Sequence, residues 1–378
     1  MKEYSISNRE KIRRIDPVVL FCVFGMNAMS IITLLSQVDS HAEGVGMWYV
    51  RVQLLASAFS IVVMAILTFI DYDALFQKMK YFLIPLSVAL ILWVKKFGVG
   101  QAGNRNWINI AGNISVQPTE FVKILMIISF AFHLNRVKDK LNHPLSVLGL
   151  AAHAGLFVGL VVWQGDDGMA LVYFGVLAIM MFGAGVSLWY FAGVATAALL
   201  AFPTIWNRVL NAEQRARILY GFNPDLDPLD QGFQAIASRS CIIAGGFRGA
   251  GFSGGTKYYA LPARQSDFIF AVVAEKFGFM GTFLYMALIV TLILRILWIA
   301  RSTRKNYASY ICIGIAGMFL VQASLNIGMC LAILPVIGIT CPFLSYGPSS
   351  ILSSYICIGI VESICTHSKK YYFEREQD

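Results

Sequence analysis

About ten blocks of apolar residues recur along this chain, each on the order of the 17–25 residues that cross a bilayer's hydrocarbon. The blocks lie near Pro17–Leu35, Met47–Ile70, Tyr81–Val94, Glu120–Leu134, Leu145–Trp163, Met169–Gly185, Leu188–Trp206, Phe268–Leu297, Tyr307–Leu334 and Ser349–Cys365. Only 13% of the 378 residues are charged and 57% are hydrophobic. A soluble domain carries roughly 25% charged residues, so this chain lacks the polar surface for one. Runs of alternating apolar and polar residues, the mark of a membrane barrel, are not seen. Helices remain the way to satisfy every backbone group in lipid. The expected fold is therefore all-α: one polytopic membrane domain over residues 1–378 with about ten transmembrane helices.

Lysine and arginine set the orientation. Lys2, Arg9, Lys11, Arg13 and Arg14 crowd the N-terminal tail, and Lys369, Lys370 and Arg375 the C-terminal one. Lys78, Lys80, Arg136, Lys138, Lys140, Arg301, Arg304 and Lys305 fall in the turns of the same side, whereas 36–46 and 335–346 carry none. Both termini are expected in the cytoplasm, which requires an even number of spans. The net charge of +9 is mostly this topology signal, and no nucleic-acid motif or aromatic-interleaved basic patch accompanies it. Arg14 and the lack of a small-residue cleavage site make the first span a retained anchor. The seven cysteines show no metal or redox spacing and read as packing residues, and His153 reads as a packing or helix–helix hydrogen-bonding residue.

Two external segments are long, 95–119 and 207–266; the second separates spans seven and eight. Segments of that length are usually functional or disordered. Within the second, Phe233–Gly246 is apolar but too short to span, which suits a re-entrant or interfacial helix or a cap over the spans. The glycine-rich run that follows, 246–255, either brings backbone close to a ligand or forms a flexible turn. Ionisable residues at membrane depth are costly and usually functional. Glu120 and Lys123 share a helix face at i and i+3, as a functional or a structural pair. Asp166 and Asp167 occupy an external turn, where helix capping is the alternative role. Arg51 lies one turn into the second span, and Asp267, Glu275 and Lys276 open the eighth.

Five stretches, in order, resemble the SEDS family of shape, elongation, division and sporulation proteins typified by RodA, FtsW and SpoVE. They are NWINIAGNISVQPTEFVK (106–123), QGDDGMAL (164–171), NPDLDPLDQGFQAIASRSCIIAGGFRGAG (223–251), LPARQSDFIFAVVAEKFG (261–278) and NIGMCLAILPVIGITCPFLSYGPSS (326–350). The chain departs from the pattern at Thr119 (usually Ser), Gly165 (Pro), Asp167 (an apolar residue), Lys276 (an acid) and Pro348 (Gly). The resemblance implies a bacterial peptidoglycan glycosyltransferase that polymerises lipid II on the outer face of the cytoplasmic membrane. It implies membrane lipids around the chain and a class B penicillin-binding protein as partner. An acceptor hydroxyl would displace undecaprenyl pyrophosphate with inversion, which needs a base and positive charge for the leaving group. Asp267 is the expected base, a carboxylate beside the apolar Phe268, Ile269 and Phe270, with helix capping as its alternative role. Arg51, Lys123, Arg215, Arg217 and Arg248 are the expected partners of the pyrophosphate, and Trp107, Glu120 and Asp166 complete the expected substrate-binding set. A divalent cation, Mg or Mn, enters by resemblance only. A lipid II flippase or other transporter, and a non-catalytic scaffold for the penicillin-binding protein, are the competing readings.

The charge asymmetry makes the topology testable. A cysteine placed in 211–231 should react with an impermeant thiol reagent added to intact cells, and one placed in 302–306 should not; the reverse pattern would overturn the orientation.

Overall fold

The computed structural model describes residues 8–38, 46–100, 105–111, 114–230 and 232–367. A short basic helix, α1 (Asn8–Arg14), leads into α2 (Pro17–Leu35). Asp16 caps α2, its Oδ1 accepting from the amides of Val18 and Val19, and Pro17 supplies a first-turn residue that needs no N–H donor. Then come α3 (Met47–Phe69), α4 (Tyr72–Met79), α5 (Leu83–Phe97), the antiparallel strands β1 (Ile108–Ala111) and β2 (Ile114–Val116), and α6 (Thr119–Val137). The chain continues through α7 (Pro144–Gln164), α8 (Asp167–Ala184), α9 (Leu188–Thr204), α10 (Ala212–Phe222), α11 (Phe233–Gly245), α12 (Ile269–Ser302), α13 (Asn306–Cys330) and α14 (Pro348–His367).

Each expected span falls largely on a helix. Eight described helices are long and apolar enough to cross a membrane, and the α4–α5 pair, bent by 70°, brings the number to 9. α6 has comparable length but carries Glu120, Lys123 and Arg136. α13 and α14 form the centre of the bundle: α14 packs on α3, and α13 on α12, α8 and α6. Glycines allow the close approaches, as where Gly317 of α13 meets Ile179 of α8 and Gly359 of α14 meets the backbone at Met64 of α3. α9 contributes no buried residue and meets the core through the half-buried Tyr190 and Phe191.

Four details differ from the sequence reading. The third span is preceded by a separate helix, α4, on the far side of a sharp bend. The segment 95–119 holds a small hairpin, a minor addition to an all-α fold. The ninth span stops at Cys330, because the chain turns through Ala332 at φ 56° and then meets Pro335, which cannot continue a helix. The eighth is broken inside: Gly278 adopts φ 66° and ψ −161°.

That break organises the long external segment. A broken helix leaves carbonyls and amides without partners. Here the glycine-rich run supplies them: Ala250 N–H donates to the Glu275 carbonyl and Gly251 N–H to that of Lys276, at 2.8 and 2.9 Å. In return the Phe279 and Met280 amides donate to the Gly246 and Phe247 carbonyls. The run thus brings its backbone close to this protein's own helix. The apolar stretch 233–246 is α11, packed along α12. A methyl group on Gly245 would sit 1.8 Å from the Ala274 carbonyl oxygen, so only glycine permits this contact. Gly245→Ala should therefore destabilise the protein by about 1–3 kcal/mol, the usual range for overpacking. An unchanged melting temperature would contradict the docking of α11 on α12.

Candidate active site

Asp267 ends the tight turn that joins the glycine-rich run to α12. The turn closes on Ala263 (φ 51°), whose carbonyl accepts from the amides of Ser266 and Phe268. It is fastened to two other elements. The Ser345 hydroxyl donates to the Ser266 carbonyl at 2.6 Å, and the Tyr346 amide donates to Gln265. From α13, the buried Asn326 side-chain amide donates to the carbonyls of Asp267 and Ile339 at 2.7 and 2.6 Å. The carboxylate faces Gly338, where an added methyl would lie 3.6 Å from Oδ2. Burial pushes the Asp267 carboxyl up to about 6, opposed only by a hydrogen bond from Ser266. The cap position of α12 is Phe268, with no side-chain cap hydrogen bond, so Asp267 is not a helix cap.

A second polar group lies where α6, α8 and α14 meet. Lys123 Nζ stands 2.7 Å from Glu120 Oε2, both side chains almost fully buried. Ser353 of α14 donates to the same carboxylate oxygen at 2.8 Å. Asp166 caps α8 by accepting from the Met169 amide, and its other oxygen accepts from Gln117 Nε2 at 2.8 Å. Burial raises the Asp166 carboxyl against those two hydrogen bonds, and nearby Glu120 and Asp167 add to the rise. The Gln117 amide donates to Ser349 of α14, and the Tyr173 hydroxyl donates to the Thr119 carbonyl. The two groups share a wall. The start of α8 abuts the loop between α13 and α14, since a methyl on Gly168 would meet the Ile337 carbonyl at 2.4 Å. Asp267 abuts the very next residue of that loop, Gly338.

A groove of about 370 Å³ opens between α3, α6 and α14. Its lining is apolar (Trp48, Leu55, Phe59, Phe121, Leu352) apart from Arg51, Ser60 and Ser349. Ser349 also accepts from Gln117, so the groove ends beside the Asp166 group. Arg51 lies one turn into α3, as the sequence placed it, and lines this groove.

The remaining expected residues are elsewhere. Trp107 is exposed and pairs through its backbone with Val99. The Arg215 guanidinium donates to the Leu210 and Asn207 carbonyls, closing the turn between α9 and α10. Arg248 is exposed on the run that braces the break in α12. Among the described residues no hydrogen bond or ion pair joins these three to Asp267, Asp166 or the Glu120–Lys123 pair. The Arg217 side chain lies outside the described residues. Glu275 and Lys276 prove to be loop anchors: the Glu275 carboxylate accepts from the Lys257 and Tyr258 amides, and Lys276 Nζ donates to the Phe252 and Gly254 carbonyls. His153 of α7 meets His133 and Ser129 of α6, a helix–helix contact as expected. Asn326, Gln117, Ser349 and Ser353 lie within the quoted stretches or beside them, yet nothing in their residue type singled them out.

Residues 14–370 match the cell cycle protein family FtsW/RodA/SpoVE, and the chain belongs to that family. It is 31% identical over 360 residues to the peptidoglycan glycosyltransferase MrdB of Escherichia coli K12, covering 94% of each chain. It is 32% identical over 330 residues to stage V sporulation protein E of Bacillus subtilis, covering 85% of this chain and 88% of the relative. Among solved structures it resembles a chain from a peptidoglycan synthase complex that coordinates polymerization and crosslinking, with a TM-score of 0.79 at 26% identity, over 93% of this chain and 97% of that one. Thermus thermophilus RodA shares the fold, with a TM-score of 0.66 at 22% identity, over 95% and 98% of the two chains.

The Glu120–Lys123 pair can be tested by exchange. Glu120→Lys with Lys123→Glu keeps the ion pair but moves the carboxylate away from Ser353. The exchanged protein should fold with a near-native melting temperature and make no glycan polymer. Restored polymerisation would show that the pair is only structural.

Proposed function

We propose that this chain polymerises lipid II into glycan strands on the outer face of the bacterial cytoplasmic membrane, with Asp267 as the base. Asp267 carries the reading: a partly buried carboxylate, held in place by its backbone and raised to about 6, has the proton affinity that suits a base working near neutral pH. The family membership and the relatives named as peptidoglycan glycosyltransferases support it.

The acceptor's sugar hydroxyl enters between Asp267 and Gly338. Its oxygen attacks the donor's anomeric carbon as its proton passes to the Asp267 carboxylate. The bond from that carbon to the pyrophosphate oxygen breaks, and undecaprenyl pyrophosphate departs with the electron pair. One displacement inverts the anomeric centre. The apolar groove suits a lipid tail, with Arg51 at the pyrophosphate's level. Lys123 is already paired to Glu120, so it shapes the site more than it neutralises the leaving group. Among the described residues no group of three or more His, Cys, Asp or Glu side chains could hold a metal ion. The described residues thus do not build a site for Mg or Mn by themselves.

Both termini face the cytoplasm in this reading, as the Lys and Arg distribution requires. A class B penicillin-binding protein crosslinks the product; the likeness to a chain of a polymerising and crosslinking complex supports that pairing. Whether the strands serve elongation, division or sporulation is a matter of which such partner the chain joins.

Asp267→Asn removes the base and nearly preserves size. Glycan synthesis should fall by roughly two or more orders of magnitude with expression and melting temperature near normal. In the parent protein the rate should decline on acidification through about pH 6, as the carboxylate takes up its proton. A near-parental rate for Asp267→Asn would move the base elsewhere, to Asp166 first.

A further inference from the structure

Asn326 lies deep in α13, fully buried, with one nitrogen bonded to two backbone carbonyls from distant parts of the chain. One belongs to Asp267. The other belongs to Ile339, next to the glycine that faces the Asp267 carboxylate. A primary amide presents two N–H groups in a fixed fork, so the two carbonyls cannot shift independently. The wall opposite the carboxylate is also constrained, since Gly338 turns at φ 65°, a conformation that favours glycine. The remaining contact at the Asp267 carbonyl is the Cys330 thiol at 3.7 Å, a weak donor.

We propose that Asn326 is a positioning residue that sets the gap between the Asp267 carboxylate and the Gly338 turn, and with it the slot through which the acceptor hydroxyl approaches. The proposal rests on Asp267 being the base. A staple serving stability alone could join any two segments. This one joins the backbones of the two walls of one slot, from a helix at the centre of the bundle. Asparagine suits the task where aspartate would not, because a carboxylate would repel both carbonyls.

The test compares Asn326→Ala, Asp267→Asn and the double variant, each purified with its penicillin-binding partner and supplied with lipid II. Asn326→Ala should lower turnover on the order of 10- to 100-fold, the scale of a misplaced reacting group, with KM for lipid II within about twofold of the parent. In the Asp267→Asn background the same change should have almost no further effect, because the group it positions is gone. Asn326→Ser, which keeps one donor, should fall between parent and alanine variant, and it carries the test if the alanine variant does not fold. An Asn326→Ala effect of equal size in both backgrounds, a raised KM at unchanged turnover, or parental activity would overturn the positioning role alone. A parental rate for Asp267→Asn would instead overturn the base assignment, and the positioning role with it.

Discussion

Backbone groups at membrane depth must find partners within the protein, because lipid offers none. α12 breaks that rule locally at Gly278 and repairs it with the run that precedes it: amides of Ala250 and Gly251 cover the freed carbonyls, and carbonyls of Gly246 and Phe247 take the freed amides. The break and the run therefore form one unit. Glu275 and Lys276 tighten it by binding the Lys257 and Tyr258 amides and the Phe252 and Gly254 carbonyls. A long external segment that would otherwise be free is drawn down onto the bundle and delivers Asp267 to a fixed place.

The second fixed surface is the loop between α13 and α14. It is held by Asn326 on one side and by the Ser345 hydroxyl and Tyr346 amide on the other, and Gln53 of α3 donates to its Ser345 carbonyl. Its consecutive residues Ile337 and Gly338 touch the start of α8 and the Asp267 carboxylate. Residues from α3, α8, α13 and α14 and from the turn before α12 thus meet around one loop. The site is braced by buried hydrogen bonds, whereas α9, with no buried residue, is held through the half-buried Tyr190 and Phe191.

Much of this could be read from residues alone, because hydrophobic length is a local property. The spans, the short α11 and the Asp267 turn all follow from composition and motif. The break at Gly278 could not, since a glycine in an apolar helix reads as a packing residue and its left-handed φ is imposed by a partner run some thirty residues away. Asn326 was equally silent: it acts on backbone carbonyls 59 and 13 residues off, and any residue can supply a carbonyl. The basic residues are a different case. The need for positive charge at the pyrophosphate proposed Arg215 and Arg248, but a sequence gives no geometry, and here the Arg215 guanidinium rests on the carbonyls of its own turn. Asp166 fills the capping role on one oxygen and joins the polar group through Gln117 with the other.

The central claim is that the chain itself makes the glycosidic bond. The most direct measurement mixes the purified chain in detergent with lipid II and a class B penicillin-binding protein whose transpeptidase is blocked by a β-lactam, then separates the products by length. Detergent removes any vectorial transport, and the β-lactam removes crosslinking. The account predicts uncrosslinked glycan chains that depend on this polypeptide and on Asp267. Lipid II left unpolymerised with the parent chain and its active partner present would contradict it and leave a transporter or a scaffold.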